Sequence, residues 1–218
     1  MTAADRAGAL RRALRLYAVT DRAWVGRQTF AEQMEAALRG GATCLQLREK
    51  DLPDDAFLSE ALDVRRLCER HGVPMIVNDN LDVALRAGAD GVHVGQSDRP
   101  AAEVRRLLGP GPILGVSAQT VEQALEAERA GADYLGVGAV FPTATKRDAD
   151  AVPLSTLRAI CAAVRIPVVA IGGIAADNLA QLRGSGIAGV AVVSALFAQP
   201  DIETATRALL ARLQEVLP

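Results

Sequence analysis

Eight short apolar runs recur along the chain, each followed by a turn and an amphipathic stretch, and few folds accept that pattern. The runs are LRLYAVT (14–20), TCLQLRE (43–49), PMIVN (74–78), GVHVG (91–95), PILGVS (112–117), YLGVG (134–138), PVVAIG (167–172) and GVAVVS (189–194). They are short, nearly all apolar and rich in β-branched residues, as strands buried on both faces must be. The stretches between them carry helical spacing. TFAEQMEAALRGG sets Phe30, Met34 and Leu38 on one face and stops at a glycine pair. RAGADGVHVG (86–95) and RAGADYLGVG (129–138) nearly repeat one another, each reading as a helix end, a C-cap glycine, a turn and a strand. A βα unit recurring eight times in 218 residues predicts a closed parallel (β/α)8 barrel as a single domain over residues 1–218. The first ~10 residues read as a flexible start or an extra helix. The competing doubly wound open sheet wants a glycine-rich turn after its first strand, and YAVTDRAWVGRQTF has none.

Charge and composition exclude other classes. A formal net charge of −2 offers no global positive field for nucleic acid or an anionic membrane. No apolar run approaches the ~18 residues of a membrane span. The N-terminal MTAADRAGALRRALRLYAVTDR lacks an apolar signal core, so a cytoplasmic location is expected. Cys44, Cys68 and Cys161 are odd in number and far apart, and read as buried free thiols.

In such a barrel chemistry sits at the carboxyl ends of the strands. Asp79 and Asp98 follow the third and fourth strands, which as neighbours lie about 4.8 Å apart. Each alone is equally a cap for the helix after it. As a pair with no His or Cys beside them they suit a hard ion, and Mg2+ is commonly held by one or two carboxylates with phosphate and water. In QLREK, Gln46, Arg48 and Lys50 alternate and share a face of a regular strand. Two cations aimed into a barrel mouth call for an anion such as phosphate or diphosphate, unless Glu49 and nearby acids pair with them outside it. Lys146 adds a third cation from the long segment 136–155, which also carries Thr143 and Thr145 and reads as a binding loop or a surface insertion. Gly172, Gly173 and Ser194 end the last two strands, where barrels often seat a phosphate on backbone N–H groups. Ser117 ends the fifth strand as a polar contact. His93 lies mid-strand as a satisfied core or supporting histidine, and His71 closes a helix as a dipole partner. A cationic, metal-assisted site beside a backbone-rich phosphate site suggests a transferase that displaces diphosphate, without an evident general base.

YAVTDR, QLREK, IVNDN, GVHVGQSD, LGVSAQT, FPTATK, AIGGI and VVSAL, in this order from about residue 16 to 197, together resemble the thiamine-phosphate synthase family. The resemblance implies a (β/α)8 barrel that joins 4-amino-2-methyl-5-(diphosphooxymethyl)pyrimidine to a thiazole phosphate, with Mg2+, giving thiamine phosphate and diphosphate. It implies that Gln46, Leu47, Arg48, Glu49, Lys50, Asn78, Ser117 and Lys146 bind the pyrimidine diphosphate. Asp79 and Asp98 would be the metal ligands. Thr143, Ala144, Thr145, Gly173, Val193 and Ser194 would hold the thiazole phosphate. Arg48, Lys50, Lys146 and Ser117 carry the catalytic roles in this reading. The implied partners are the two small-molecule substrates; no nucleic acid or membrane is expected, and a homo-oligomer stays open. Two other functions compete. A thiazole tautomerase would use the same barrel without the diphosphate and metal apparatus. A noncatalytic phosphate-ligand sensor would bind and turn over nothing.

Overall fold

The computed structural model describes residues 3–26, 28–143 and 151–217. Eight parallel strands close into a barrel in chain order: β1 Leu16–Val19, β2 Cys44–Leu47, β3 Met75–Asn78, β4 Gly91–Val94, β5 Ile113–Ala118, β6 Tyr134–Val137, β7 Val168–Ile171 and β8 Gly189–Val192. Each falls on one of the eight apolar runs, and pairing of Leu16, Tyr17 and Ala18 with Val190, Ala191 and Val192 seals β1 to β8. Alternation along the strands divides the core in two. Tyr17, Val19, Ile76, Tyr134, Val169 and Ala191 pack inside the barrel. Leu16, Ala18, Leu45, Leu47, Val77, Leu135 and Val190 face outward into a larger cluster with the helices.

The helical layer follows local signals. α1 (Ala3–Ala13) precedes the barrel, and α2 (Phe30–Arg39) opens on a Thr29/Glu32 capping box and buries Phe30, Met34 and Leu38. α3 (Asp54–His71), α4 (Leu81–Ala87), α5 (Ala101–Leu108), α6 (Val121–Arg129) and α7 (Leu154–Ala163) continue the ring. The alternation breaks once: a short 3-10 turn at Leu179–Leu182 stands between β7 and β8 in place of an α-helix. After β8 come the single-turn α8 (Ser194–Phe197) and α9 (Ile202–Val216), which packs back on α2 with an Arg39–Glu203 ion pair at 2.9 Å.

The repeated RAGAD segments have a structural cause. Asp90 accepts from the Met75 N–H at 2.8 Å and pairs with Arg65 of α3. Asp133 accepts from the Leu114 N–H, also at 2.8 Å, and pairs with Arg105 of α5. Each aspartate thus pins the start of its neighbouring strand, at the end of the barrel away from the site. α1 covers that same end: Arg6 donates to the Pro110 and Gly111 carbonyls before β5, and Leu10 packs against the interior cluster.

Backbone closeness at the β1–β8 seam requires glycine. A Cβ on Gly189 would sit 1.9 Å from the Leu14 carbonyl oxygen, which no side-chain rotation relieves. Gly189→Ala is expected to destabilise the fold by about 3 kcal/mol in urea unfolding. Gly111→Ala, whose Cβ meets nothing within 4 Å, should change stability by less than about 0.5 kcal/mol. Equal effects would break the seam argument.

Candidate active site

The mouth at the carboxyl ends of the strands opens on a cavity of about 500 Å3. Strand alternation turns Gln46, Arg48 and Lys50 of the β2 end into it. Asn78 and Asp79 enter from β3, Asp98 from the loop after β4, Ser117 from β5, Thr143 from the loop after β6, and Gly173, Val193 and Ser194 from the ends of β7 and β8. The same alternation turns Leu47 and Glu49 outward. Leu47 is buried under the helices, and the Glu49 carboxylate takes a 2.8 Å hydrogen bond from Arg22 Nε. Ala144, Thr145 and Lys146 lie outside the described residues.

Asp79 and Asp98 meet. Their carboxyls lie close enough to act on one another. Burial first, and then the Asp98 carboxylate, push Asp79 up to about 6. Neither caps a helix. Asn80 caps α4, accepting from the Val83 N–H at 3.0 Å, and Pro100 precedes α5. The capping alternative is thereby removed. Asp98 instead accepts from the Gly95 N–H at 2.7 Å, which fixes its loop. Asp79 has φ +61°, uncommon for a residue with a side chain, and its N–H donates to the His93 carbonyl at 2.8 Å. A rim that spends backbone strain to aim one carboxylate at another is built for a shared proton or a shared cation. Two hard oxygen donors beside anion-binding cations fit Mg2+. Among the described residues no cluster of three or more His, Cys, Asp or Glu offers a metal site, so two carboxylates would need oxygen ligands from substrate and water.

Arg48 is placed by its backbone N–H, which donates to the Thr20 hydroxyl at 2.9 Å, and its guanidinium lies 3.7 Å from Asp21. Its charge also acts on Asp79, and a guanidinium with five N–H groups still has donors for a ligand.

Sequence reasoning missed Tyr17 and Tyr134, the chain's two tyrosines. Both stand inside the barrel with their hydroxyls 2.9 Å apart. Gln46 Nε2 donates to Tyr17 Oη at 2.8 Å. His93 bridges Tyr134 Oη through Nδ1 and Ser117 Oγ through Nε2, each at 2.9 Å. A signal for this was available in the strand glycines: a Cβ on Gly115 would lie 2.2 Å from the Tyr134 ring, and Gly inside a strand often marks such an approach. His71 pairs instead with Glu35 on α2, at 2.9 Å. The three cysteines are free; Cys44 and Cys68 are buried and Cys161 half-buried.

A parallel (β/α)8 barrel with cations, a carboxylate pair and hydroxyls at its strand ends belongs to the class of barrel enzymes that act on phosphorylated small molecules. Within that class the chain belongs to the family described as thiamine monophosphate synthase, whose model matches residues 16–196. The thiamine-phosphate synthase of Ruminiclostridium cellulolyticum is 52% identical over 195 residues, covering 89% of this chain and 93% of that protein. Thiamine-phosphate synthase 2 of Streptococcus pneumoniae is 49% identical over 207 residues, covering 95% and 99%. The solved thiamine phosphate pyrophosphorylase of Pyrococcus furiosus is 41% identical and superposes with a TM-score of 0.88, covering 96% of this chain and all of that one.

Glu49 yields a prediction about stability. Arg22 bridges Glu49 and Glu60, while Glu49 Oε1 and Glu60 Oε2 are buried without a donor among the described residues. Burial, and then the Glu60 carboxyl, raise Glu49 against the lowering pull of Arg22. The native state therefore holds a proton that the unfolded chain has already released above its ordinary value of 4.5. Stability from this group is complete below that value and is lost as pH rises through the raised one. In Glu49→Gln an amide N–H supplies the missing donor, so urea unfolding from pH about 5 to 7.5 should show a flatter decline than in the wild type. Parallel curves would contradict a raised Glu49.

Proposed function

We propose that this chain is a thiamine-phosphate synthase. It transfers the pyrimidinylmethyl group of 4-amino-2-methyl-5-(diphosphooxymethyl)pyrimidine to the nitrogen of a thiazole phosphate and releases diphosphate. The observation that carries the reading is the convergence of Gln46, Arg48, Lys50, Asp79, Asp98 and Ser117 on one mouth, in a chain of this family. Membership alone leaves the site residues to be argued, and their chemistry argues for this reaction.

Arg48 and Lys50 offer fixed positive charge where the departing diphosphate gathers negative charge, and Lys146 is assigned the same role by the family resemblance. Asp79 and Asp98 would hold Mg2+. When bound, the ion neutralises charge on the diphosphate and lowers the barrier to its departure. Gln46, Asn78 and Ser117 orient the pyrimidine so that its reacting carbon faces the thiazole nitrogen. Thr143, Gly173, Val193 and Ser194, with Ala144 and Thr145, are assigned the thiazole phosphate. Gly173, Val193 and Ser194 share the mouth with the cations, which would bring the two reactants together. Leu47 and Glu49 support the strand end that carries Arg48 and Lys50. The free thiols suit a cytoplasmic setting. Among the described residues no helix is long and apolar enough to cross a membrane.

The decisive experiment supplies both substrates to purified protein with Mg2+ and follows diphosphate and thiamine phosphate. Both should appear together, and EDTA should abolish turnover. Asp98→Asn should lower kcat/KM about a hundredfold while shifting Tm by only a few degrees. Conversion of a thiazole phosphate alone, with no diphosphate released, would make the protein a tautomerase. Binding with no turnover would make it a sensor.

A further inference from the structure

The barrel floor holds more polar chemistry than filling it requires. Interiors of such barrels are mostly layers of branched apolar side chains. Here five strands contribute one continuous hydrogen-bonded chain, Gln46–Tyr17–Tyr134–His93–Ser117, with links of 2.8, 2.9, 2.9 and 2.9 Å. Tyr17 and Tyr134 are 2% and 0% exposed. Apolar residues of similar shape would fill the same volume without desolvating two phenols and an imidazole. All five residues line the cavity below the mouth, and Gln46 and Ser117 are the two ends of the chain.

We infer that Tyr17, Tyr134 and His93 are positioning residues that fix which way Gln46 and Ser117 present their protons to the pyrimidine diphosphate, an inference that rests on the synthase reading above. Gln46 donates its amide N–H to Tyr17 Oη. A phenol has one proton to give. Passed along the chain, donation runs from Tyr17 to Tyr134 and from Tyr134 to His93 Nδ1. His93 then carries its proton on Nε2 and donates it to Ser117 Oγ. The Ser117 hydroxyl proton is left to point at an acceptor on the ligand, while Gln46 keeps its carbonyl oxygen outside the chain as an acceptor. The opposite polarity would leave the Tyr17 proton to the Cys44 thiol, its neighbour across the β1–β2 pairing and a weak acceptor. Burial holds both phenols well above their ordinary range, so each stays a protonated donor. Cutting the chain at Tyr134 frees the imidazole to take either tautomer and the Ser117 hydroxyl to turn inward.

A kinetic double-mutant cycle of Tyr134→Phe and Ser117→Ala tests this, with diphosphate release as the readout. Tyr134→Phe should lower kcat/KM for the pyrimidine diphosphate about five- to tenfold. It should leave KM for the thiazole phosphate unchanged, and it should add no further loss once Ser117 is alanine. If Tyr134→Phe fails to fold, Tyr17→Phe takes its place; it unties Gln46 as well, so it should add no further loss only when Gln46 and Ser117 are both alanine, and an equal loss there overturns the inference. Equal losses in the two backgrounds overturn the inference, because a merely structural role would weaken both alike. A second readout needs no turnover. The chain has two histidines, so His71→Gln leaves one imidazole for 15N NMR. Its resting signals should be those of a neutral ring protonated on Nε2, becoming a tautomer mixture when Tyr134→Phe is added; a proton on Nδ1 overturns the polarity. A wild type with no turnover of the two substrates overturns the synthase reading and this inference with it. A wild type that turns over with an additive cycle overturns the inference alone.

Discussion

Closing eight parallel strands on themselves forces the inward side chains of every strand into one shared column. That constraint shapes the rest of the molecule. The column is too narrow for more than a few large residues, so Tyr134 is matched by Gly115 and His93 by Gly136, where a Cβ would crowd each ring. All strands run the same way, so their polar ends gather at a single rim while aspartates such as Asp90 and Asp133 pin strand starts at the opposite end. Stability and chemistry are thereby sorted by position along the strand. The lower end is tied by Arg–Asp pairs and covered by α1, and the upper end is left to carry charge.

Most of that sorting was legible in the sequence. Strand alternation alone separates Gln46, Arg48 and Lys50 from Leu47 and Glu49, and the structure follows it residue by residue. Adjacency of the third and fourth strands is enough to bring Asp79 toward Asp98. The Tyr17–Tyr134–His93 chain was not legible, and the reason is geometric. It joins β1, β4 and β6, which are not neighbours in the sheet. Whether side chains meet across a barrel depends on strand tilt and stagger, which no local pattern encodes. The missing helix between β7 and β8 escaped for a simpler reason: a short polar segment with scattered apolar residues satisfies a helical period and a 3-10 turn equally well.

His93 shows how a local reading and a tertiary one complement each other. Flanked by Val92 and Val94 on a buried strand, it reads as a satisfied interior histidine, and it is one. Its two ring nitrogens meet two hydroxyls, and one of them belongs to a residue at the mouth. A buried imidazole held at both nitrogens has its proton placed by its neighbours. The absence of an evident general base is consistent with that arrangement. On the proposed route the chemistry needs donors fixed in direction more than a group that changes protonation.

Charge balance at the rim explains why the acids and the cations sit together. On the proposed reading Arg48 and Lys50 would attract a diphosphate that Asp79 and Asp98 would repel; without a cation the pair favours holding a proton, as the rise of Asp79 to about 6 indicates. On the proposed reading, Mg2+ entering alone would neutralise the carboxylates and leave its remaining coordination to water. Diphosphate entering alone would face an uncompensated carboxylate. Together their charges would cancel, so each would favour the binding of the other, and linkage makes that coupling equal in both directions. A rim made only of cations would bind diphosphate more simply and would also retain it as product. On the same reading, two carboxylates beside the cations would make retention of the product depend on the ion.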